Sequence, residues 1–241
     1  FYTKNTEYEK IINLIKNSKR SIFIENQYIN SNNNTKNKIF LELGNRIIKS
    51  VKNKEPFEII LITNINYPDV CHYAAKNSIL GNLHCILYSY LFKESLNNSI
   101  LDLYTHLKKY ISDDDIRKTL HFYTNNDKSD FLVHSKNWIF DNDNMLYGTT
   151  NIYDRSYLIG KDLELSILLN GDKVKENKQR IIDIYSMNSK HNTNIGRLDS
   201  SPILNKINFD QIIKMNNINN MKYFILLIII IFYIIKINYF N

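Results

Sequence analysis

The sequence has little cysteine, proline or glycine: two, three and six residues among 241. Two cysteines, Cys71 and Cys85, are too few and too casually spaced for a disulfide framework or a thiolate zinc site, and read as core thiols in a reducing compartment. The dearth of glycine and proline accompanies heavy use of Asn, Ile, Lys and Tyr, the imprint of an AT-rich coding bias, and it excludes little about function. A charged-then-apolar leader is also missing. The chain starts at Phe1 without an initiator methionine and reads as a fragment or a processed product with no signal peptide. No metal-ligand cluster stands out, so neither a metal nor another cofactor is expected.

What is present is a hydrophobic content of 44%, ample for a packed core in one large or two small domains. The net charge of +7 suits an anionic partner such as a phosphate-bearing substrate, a nucleic acid or an acidic membrane surface. The lysines are scattered, so a solvated surface accounts for them equally well.

Along the chain, helical spacing from Ile11 to Ile15 leads into an apolar run, Ile22 to Ile24, and then an Asn-rich loop. A second helical pattern follows, KIFLELGNRIIKSVKN, and a second buried run, FEIILIT. This alternation predicts an α/β sheet built from crossover units. From Pro68 to about Lys118 the pattern is mostly helical, interrupted by a strand-like LHCILYS. Short β-type runs come next (TLHFYT, DFLVH, NWIF, MLYGTT, LELSILL), and then a charged helix, GDKVKENKQRIIDIYSM. The division expected is a catalytic domain over 1–187, a polar Asn-rich linker over 188–220 and a hydrophobic tail helix over 221–241.

In that tail the run Tyr223 to Ile235 covers roughly 20 Å at ~1.5 Å per residue, short of the ~30 Å hydrocarbon core. Extending it to Phe240 gives roughly 27 Å, provided that Lys236 snorkels to the interface. An all-round apolar segment after a polar linker reads as a tail anchor. It would hold the remainder of the chain in the cytoplasm beside an intracellular membrane.

The densest polar chemistry lies in HSKNWIFDNDNMLYGTTNIYDRS. If residues 133 to 140 form a strand, His134 and Lys136 lie two apart and project from one face. Gly148 permits a close backbone approach, and Thr149 and Asn151 add a hydroxyl and an amide. Donors of this kind, without a carboxylate pair, suit the non-bridging oxygens of a phosphodiester.

HSKNWIFD followed by GTTNIYDRS resembles the second catalytic motif of the phospholipase D superfamily, the H-K-D signature. IENQY at 24–28 looks like the IENQ segment of its eukaryotic branch, and KDLELSI falls where that branch carries D-x-E. The similarity covers roughly residues 8 to 170 and places the chain as the C-terminal half of such an enzyme. It implies an α/β/α sandwich with a mixed central sheet and a two-step displacement through a phosphohistidine. By this likeness His134 is the general acid-base, and Lys136, Thr149 and Asn151 hold the phosphate oxygens. Asp141 completes the catalytic triplet by orienting the site, and Asp162 or Glu164 fixes the His134 tautomer. Glu25, Asn26 and Gln27 line the pocket or merely end a strand, and Arg155 meets phosphate or pins its loop.

His106, Lys108 and Asp113 in HLKKYISD also satisfy H-x-K-x4-D, but they sit in a helical pattern with no G-x-x-N behind them, and read as a solvated helix end. His72, His84, His121 and His191 read as structural or surface residues, and Trp138 as core. Because the first motif is absent, the resemblance leaves three readings: the missing N-terminal half lies in the same chain, a second copy completes a homodimer, or the chain is a non-catalytic remnant. The expected substrate is a glycerophospholipid such as phosphatidylcholine, cleaved to phosphatidate and free head group, with a phospholipid membrane as partner. A phosphatidyltransferase resembling cardiolipin synthase and a nuclease remain as alternatives, with IENQ favouring lipid over nucleic acid.

Overall fold

The computed structural model describes residues 4–65, 79–125, 132–157, 162–186 and 193–213, the backbone alone for 4–5 and 79–90. In helix α1 (Lys4–Asn17) the four-residue spacing of Ile11 and Ile15 turns both onto one face, and both are fully buried. Strand β1 (Ser21–Asn26), helix α2 (Ile39–Lys52) and strand β2 (Glu58–Thr63) follow. Helices α3 (Ile79–Lys108) and α4 (Asp113–Thr119) lead to β3 (Leu120–Asn125). The strands β4 (Lys136–Phe140) and β5 (Asn144–Gly148) precede a single turn, α5 (Asp154–Tyr157), and β6 (Ser166–Asn170). Helices α6 (Lys173–Ser186) and α7 (Asn194–Asp199) and the short strand β7 (Leu204–Lys206) complete the compact unit, which ends at Ile207.

The seven strands form one mixed sheet in the order β6-β5-β4-β1-β2-β3-β7. β1, β2 and β3 are parallel, as their helical crossovers require, whereas β4, β5 and β6 run antiparallel as a meander beside β1. Central β1 is buried along its whole length, which explains its nearly unbroken apolar reading. One face of the sheet, with Phe23, Ile62, Tyr123 and Ile139, packs under Ile182 and Tyr185 of α6 and Leu198 of α7. The other face carries Ile24, Leu61, Phe122 and Trp138 in register, and α2 sets Phe40 5.9 Å from the Phe122 ring. Helices therefore cover both faces, and the α/β/α arrangement follows.

Three expectations are corrected. LHCILYS lies within the continuous helix α3, because an apolar run that fits either period is decided by the length of the element around it. The stretch read as a linker folds over much of its length: Leu198 and Leu204 are buried in the core, and β7 pairs antiparallel with β3. His134 precedes β4, which begins at Lys136. The tail at 221–241 lies outside the described residues, and among the described residues no helix is long and apolar enough to cross a membrane.

A fourth correction concerns Asp141. It adopts a φ of 57° in the turn after β4, a left-handed conformation that Asp tolerates, and its carboxylate accepts the backbone N–H groups of Lys19, Arg20 and Ser21 at 2.6–3.0 Å. The five residues of β4 separate this turn from His134, a rise of about 16 Å. Asp141 therefore does not join the site; it stitches the α1–β1 turn to the β4–β5 turn. Asp141→Ala is expected to cost about 1–3 kcal/mol in urea unfolding. Asp141→Asn should retain most of that stability, since an amide oxygen still accepts and Asn tolerates the same backbone. An Ala variant as stable as the parent would refute the stitch.

Candidate active site

The site forms where β1 ends and β4 begins, at the carboxyl ends of the parallel strands, where open α/β sheets leave their ligand crevices. Asn26 pairs with Lys136 across β1 and β4, and Gly148 with Ser166 across β5 and β6. Lys136 is 8% exposed. Its Nζ donates to Gln27 Oε1 and to the His134 carbonyl, both at 2.6 Å, which leaves one of three N–H groups uncommitted. No carboxylate lies within salt-bridge distance of it among the described residues. Burial lowers the Lys136 pKa, and the charge of Glu164 nearby acts in the opposite sense. An ammonium drawn out of water without a counter-ion is a strong anion site.

His134 is exposed beside it, and its ring makes no hydrogen bond among the described residues. Its pKa is lowered, first by the Lys136 charge and then by partial burial, so the free site favours neutral imidazole. The segment is held from behind by Asn64, which reading of the sequence missed. Its amide donates to the Val133 and Gln27 carbonyls at 2.8 and 3.0 Å, and its Oδ1 accepts Val133 N–H at 2.9 Å. A lone asparagine after a strand carries no signal that would have singled it out.

The GTTN loop has a different construction from the expected cradle. A Cβ on Gly148 would lie 2.0 Å from Ser166 Oγ and 2.6 Å from Leu165 O, so the close approach that needs glycine is made to β6. Thr149 donates its hydroxyl to Glu164 at 2.5 Å and accepts Leu165 N–H at 3.0 Å. Its proton is thus committed away from a ligand. Asn151 Oδ1 accepts Tyr28 N–H at 3.1 Å, which fixes the amide orientation and makes Nδ2 the donor end of the side chain. Thr150, between them, turns inward to Glu7.

Neither acidic residue of KDLELSI bonds to the His134 ring, which corrects that expectation. Asp162 accepts from Tyr153 and Arg155, both at 2.7 Å, so Arg155 pins its loop. Glu164 accepts from Thr149 and from Ser156 at 2.7 Å. Of the IENQ residues, Gln27 positions Lys136. Asn26 anchors the loop through the Thr150 carbonyl and Ile152 N–H. Glu25 faces the opposite side of the sheet, bonded to Asn137 and Tyr185, and does not line the crevice.

His106, Lys108 and Asp113 lie at the α3–α4 junction, where Lys108 pairs with Asp113 at 2.6 Å and His106 with Asn45 at 3.0 Å. Of the three only His106 borders a separate cavity, which Asn37, Asp102 and Lys109 also line. His121 is buried against the Lys118 carbonyl, and Trp138 is 2% exposed in the core. His72 and His191 lie outside the described residues, and for His84 only the backbone is described.

No family model matches the chain. Among curated proteins it is similar to phospholipase D B of Dictyostelium discoideum, 30% identical over 171 residues, 68% of this chain and 14% of that protein. It is likewise similar to phospholipase D1 of Cricetulus griseus, 28% identical over 66% of this chain and 16% of that protein. The chain therefore spans a small part of the curated relatives that it matches. Among solved structures it is similar to Nuc, a phospholipase D family member from Salmonella typhimurium, with a TM-score of 0.42 and 13% identity over 74% of this chain and 85% of that one.

The two functional groups are expected to report on one another. Lys136→Met removes the charge that depresses His134, so the imidazole midpoint should rise toward about 6.5 when followed by NMR. A midpoint that stays put or falls would mean that the ammonium does not act on that ring.

Proposed function

The chain belongs to the phospholipase D superfamily, and from that premise we propose that it supplies one half of a phosphodiesterase site acting on a glycerophospholipid. Phosphatidylcholine is the substrate proposed, with phosphatidate and the free head group as products. The observation that carries this reading is the buried Lys136 ammonium, which among the described residues has no carboxylate within salt-bridge distance and adjoins a histidine whose ring is unbonded. A phosphodiester anion seated between them would supply the missing charge. It would also offset the Lys136 field at His134 and raise the imidazole toward the protonated form that a general acid requires.

In the first step a histidine from outside these residues attacks phosphorus, a P–N bond forms, and the P–O bond to the head group breaks as His134 protonates the departing oxygen. Neutral His134 then takes a proton from water, whose oxygen attacks phosphorus as the P–N bond breaks. Lys136 and Asn151 hold the non-bridging oxygens. Gln27, Asn64 and Glu164 keep these donors in place.

The second histidine is proposed to come from an N-terminal half of the same chain or from a second copy. The described surface beside the site supports a protein neighbour. Among the described residues β6 has no strand beyond it, and Leu165 just before it and Ile167 and Leu169 within it are 50%, 42% and 44% exposed, with no lysine or proline in the strand to guard the edge. The apolar run at 223–235 is proposed as the anchor that keeps the site at its bilayer.

The test is head-group release from phosphatidylcholine vesicles by the assembled protein. His134→Ala should lower the rate by about 10²–10⁴, the usual contribution of a general acid-base, while Lys136 still binds inorganic phosphate. A folded His134→Ala protein with undiminished turnover would sink the mechanism.

A further inference from the structure

Behind the crevice lies a carboxyl that this chemistry does not use. Glu7, in the first turn of α1, is 2% exposed, and no cation lies within salt-bridge distance of it among the described residues. It accepts two hydroxyl hydrogen bonds, from Thr150 Oγ1 at 2.7 Å and from Ser166 Oγ at 2.6 Å. Those hydroxyls belong to the two segments that frame the site. Thr150 stands between Thr149 and Asn151, and Ser166 follows Glu164 by two residues. The missing Cβ of Gly148 leaves room for the second bond, since a Cβ there would overlap Ser166 Oγ.

A buried carboxyl without a cation is costly, and an apolar residue would fill this place more cheaply. Its two bonds converge from separate segments, which is what a clamp requires and what filling of the core does not. We propose that Glu7 is a positioning residue of the site, tying the 149–151 loop and the Glu164 segment to α1 so that Asn151 and Glu164 keep fixed places about Lys136. The proposal deepens, and rests on, the reading of that crevice as a phosphodiester site, although the clamp itself is a separate claim about geometry.

The groups facing Glu7 are Thr150, Ser166 and Glu164 from the site side and Tyr157 from α5, whose ring in turn packs against Tyr8. The Tyr157 hydroxyl is buried there with no hydrogen-bond partner among the described residues. Burial is the leading cause that raises the Glu7 pKa above 4.5; the two hydroxyls oppose it, and Glu164 adds to it. A raised carboxyl pKa stabilises the fold at acid pH, and that contribution is lost as pH rises through the folded value. Glu7→Gln, which stays neutral, should therefore gain in melting temperature relative to the parent from pH 5 to pH 8.

The decisive comparison is of Glu7→Ala, Glu7→Gln and Thr150→Val in the whole 241-residue chain. Two readouts are needed: amide exchange over residues 149–152 and 165, and inorganic phosphate titrated against the His134 ring resonances. Losing one or two hydrogen bonds should speed exchange and weaken phosphate binding by about fivefold to tenfold in Glu7→Ala. Glu7→Gln should restore both to within about threefold, because an amide still meets both hydroxyls. Thr150→Val should reproduce part of the loss, and it carries the test if Glu7→Ala does not fold. Unchanged exchange and affinity in a folded Glu7→Ala or Thr150→Val protein overturns the proposal. So does an equal loss in Glu7→Ala and Glu7→Gln, which would make charge the requirement. Failure of the parent chain to bind phosphate would instead remove the phosphodiester reading, and the exchange data would still decide whether Glu7 holds the loop.

Discussion

The ammonium of Lys136 is held out of water at the end of the central sheet with no carboxylate in contact among the described residues, and the surrounding structure follows from keeping it there. Desolvating a cation is tolerable only where fixed dipoles replace water. Here they are the Gln27 side-chain oxygen and the His134 carbonyl. Gln27 in turn depends on β1 ending where it does, and His134 depends on Asn64, just past β2, gripping Val133. The third N–H is what an anion would meet. A field strong enough to depress His134 in the free site is the same field that a phosphate group would neutralise on binding.

The acidic residues nearby complete that picture by being occupied. Asp162 is engaged by Tyr153 and Arg155, Glu164 by Thr149 and Ser156, and Glu7 by Thr150 and Ser166. Glu25 is engaged on the far face by Asn137 and Tyr185. Each of these carboxylates is spent on bracing a loop or a helix, and Glu164 acts on Lys136 only through its field, without a salt bridge. A free carboxylate in the crevice would compete for the ammonium and repel an anion.

Much of the fold was legible in the chain. Ile11 and Ile15, the buried β1 and β2 runs, and the close-spaced β4 and β5 signals each follow from local periodicity, and those elements stand where the pattern put them. LHCILYS was misread because a wholly apolar run fits either period. Residues 193–207, within the stretch read as a linker over 188–220, were misread because three or four apolar residues among many polar ones suffice for a short helix and an edge strand once a core exists to receive them. In the site, His134, Lys136 and Asn151 were legible as donors. The destination of Thr149's proton, the grip of Asn64 and the burial of Glu7 were not, since each depends on a partner 15 to 143 residues away.

The sequence by itself determined the alternation of helices and strands, the donor-rich character of the HSKNWIFD–GTTN region, and the family to which that region belongs, because these reside in short-range order. The tertiary structure decided which of those donors are free. Asp141 and His134 are seven positions apart, yet the extended strand between them carries them to opposite ends of the sheet, whereas Glu7 and Thr150 meet across most of the chain. A strand separates its neighbours in sequence and a sheet unites its strangers, so the division between chemistry and scaffold in this site is a property of register.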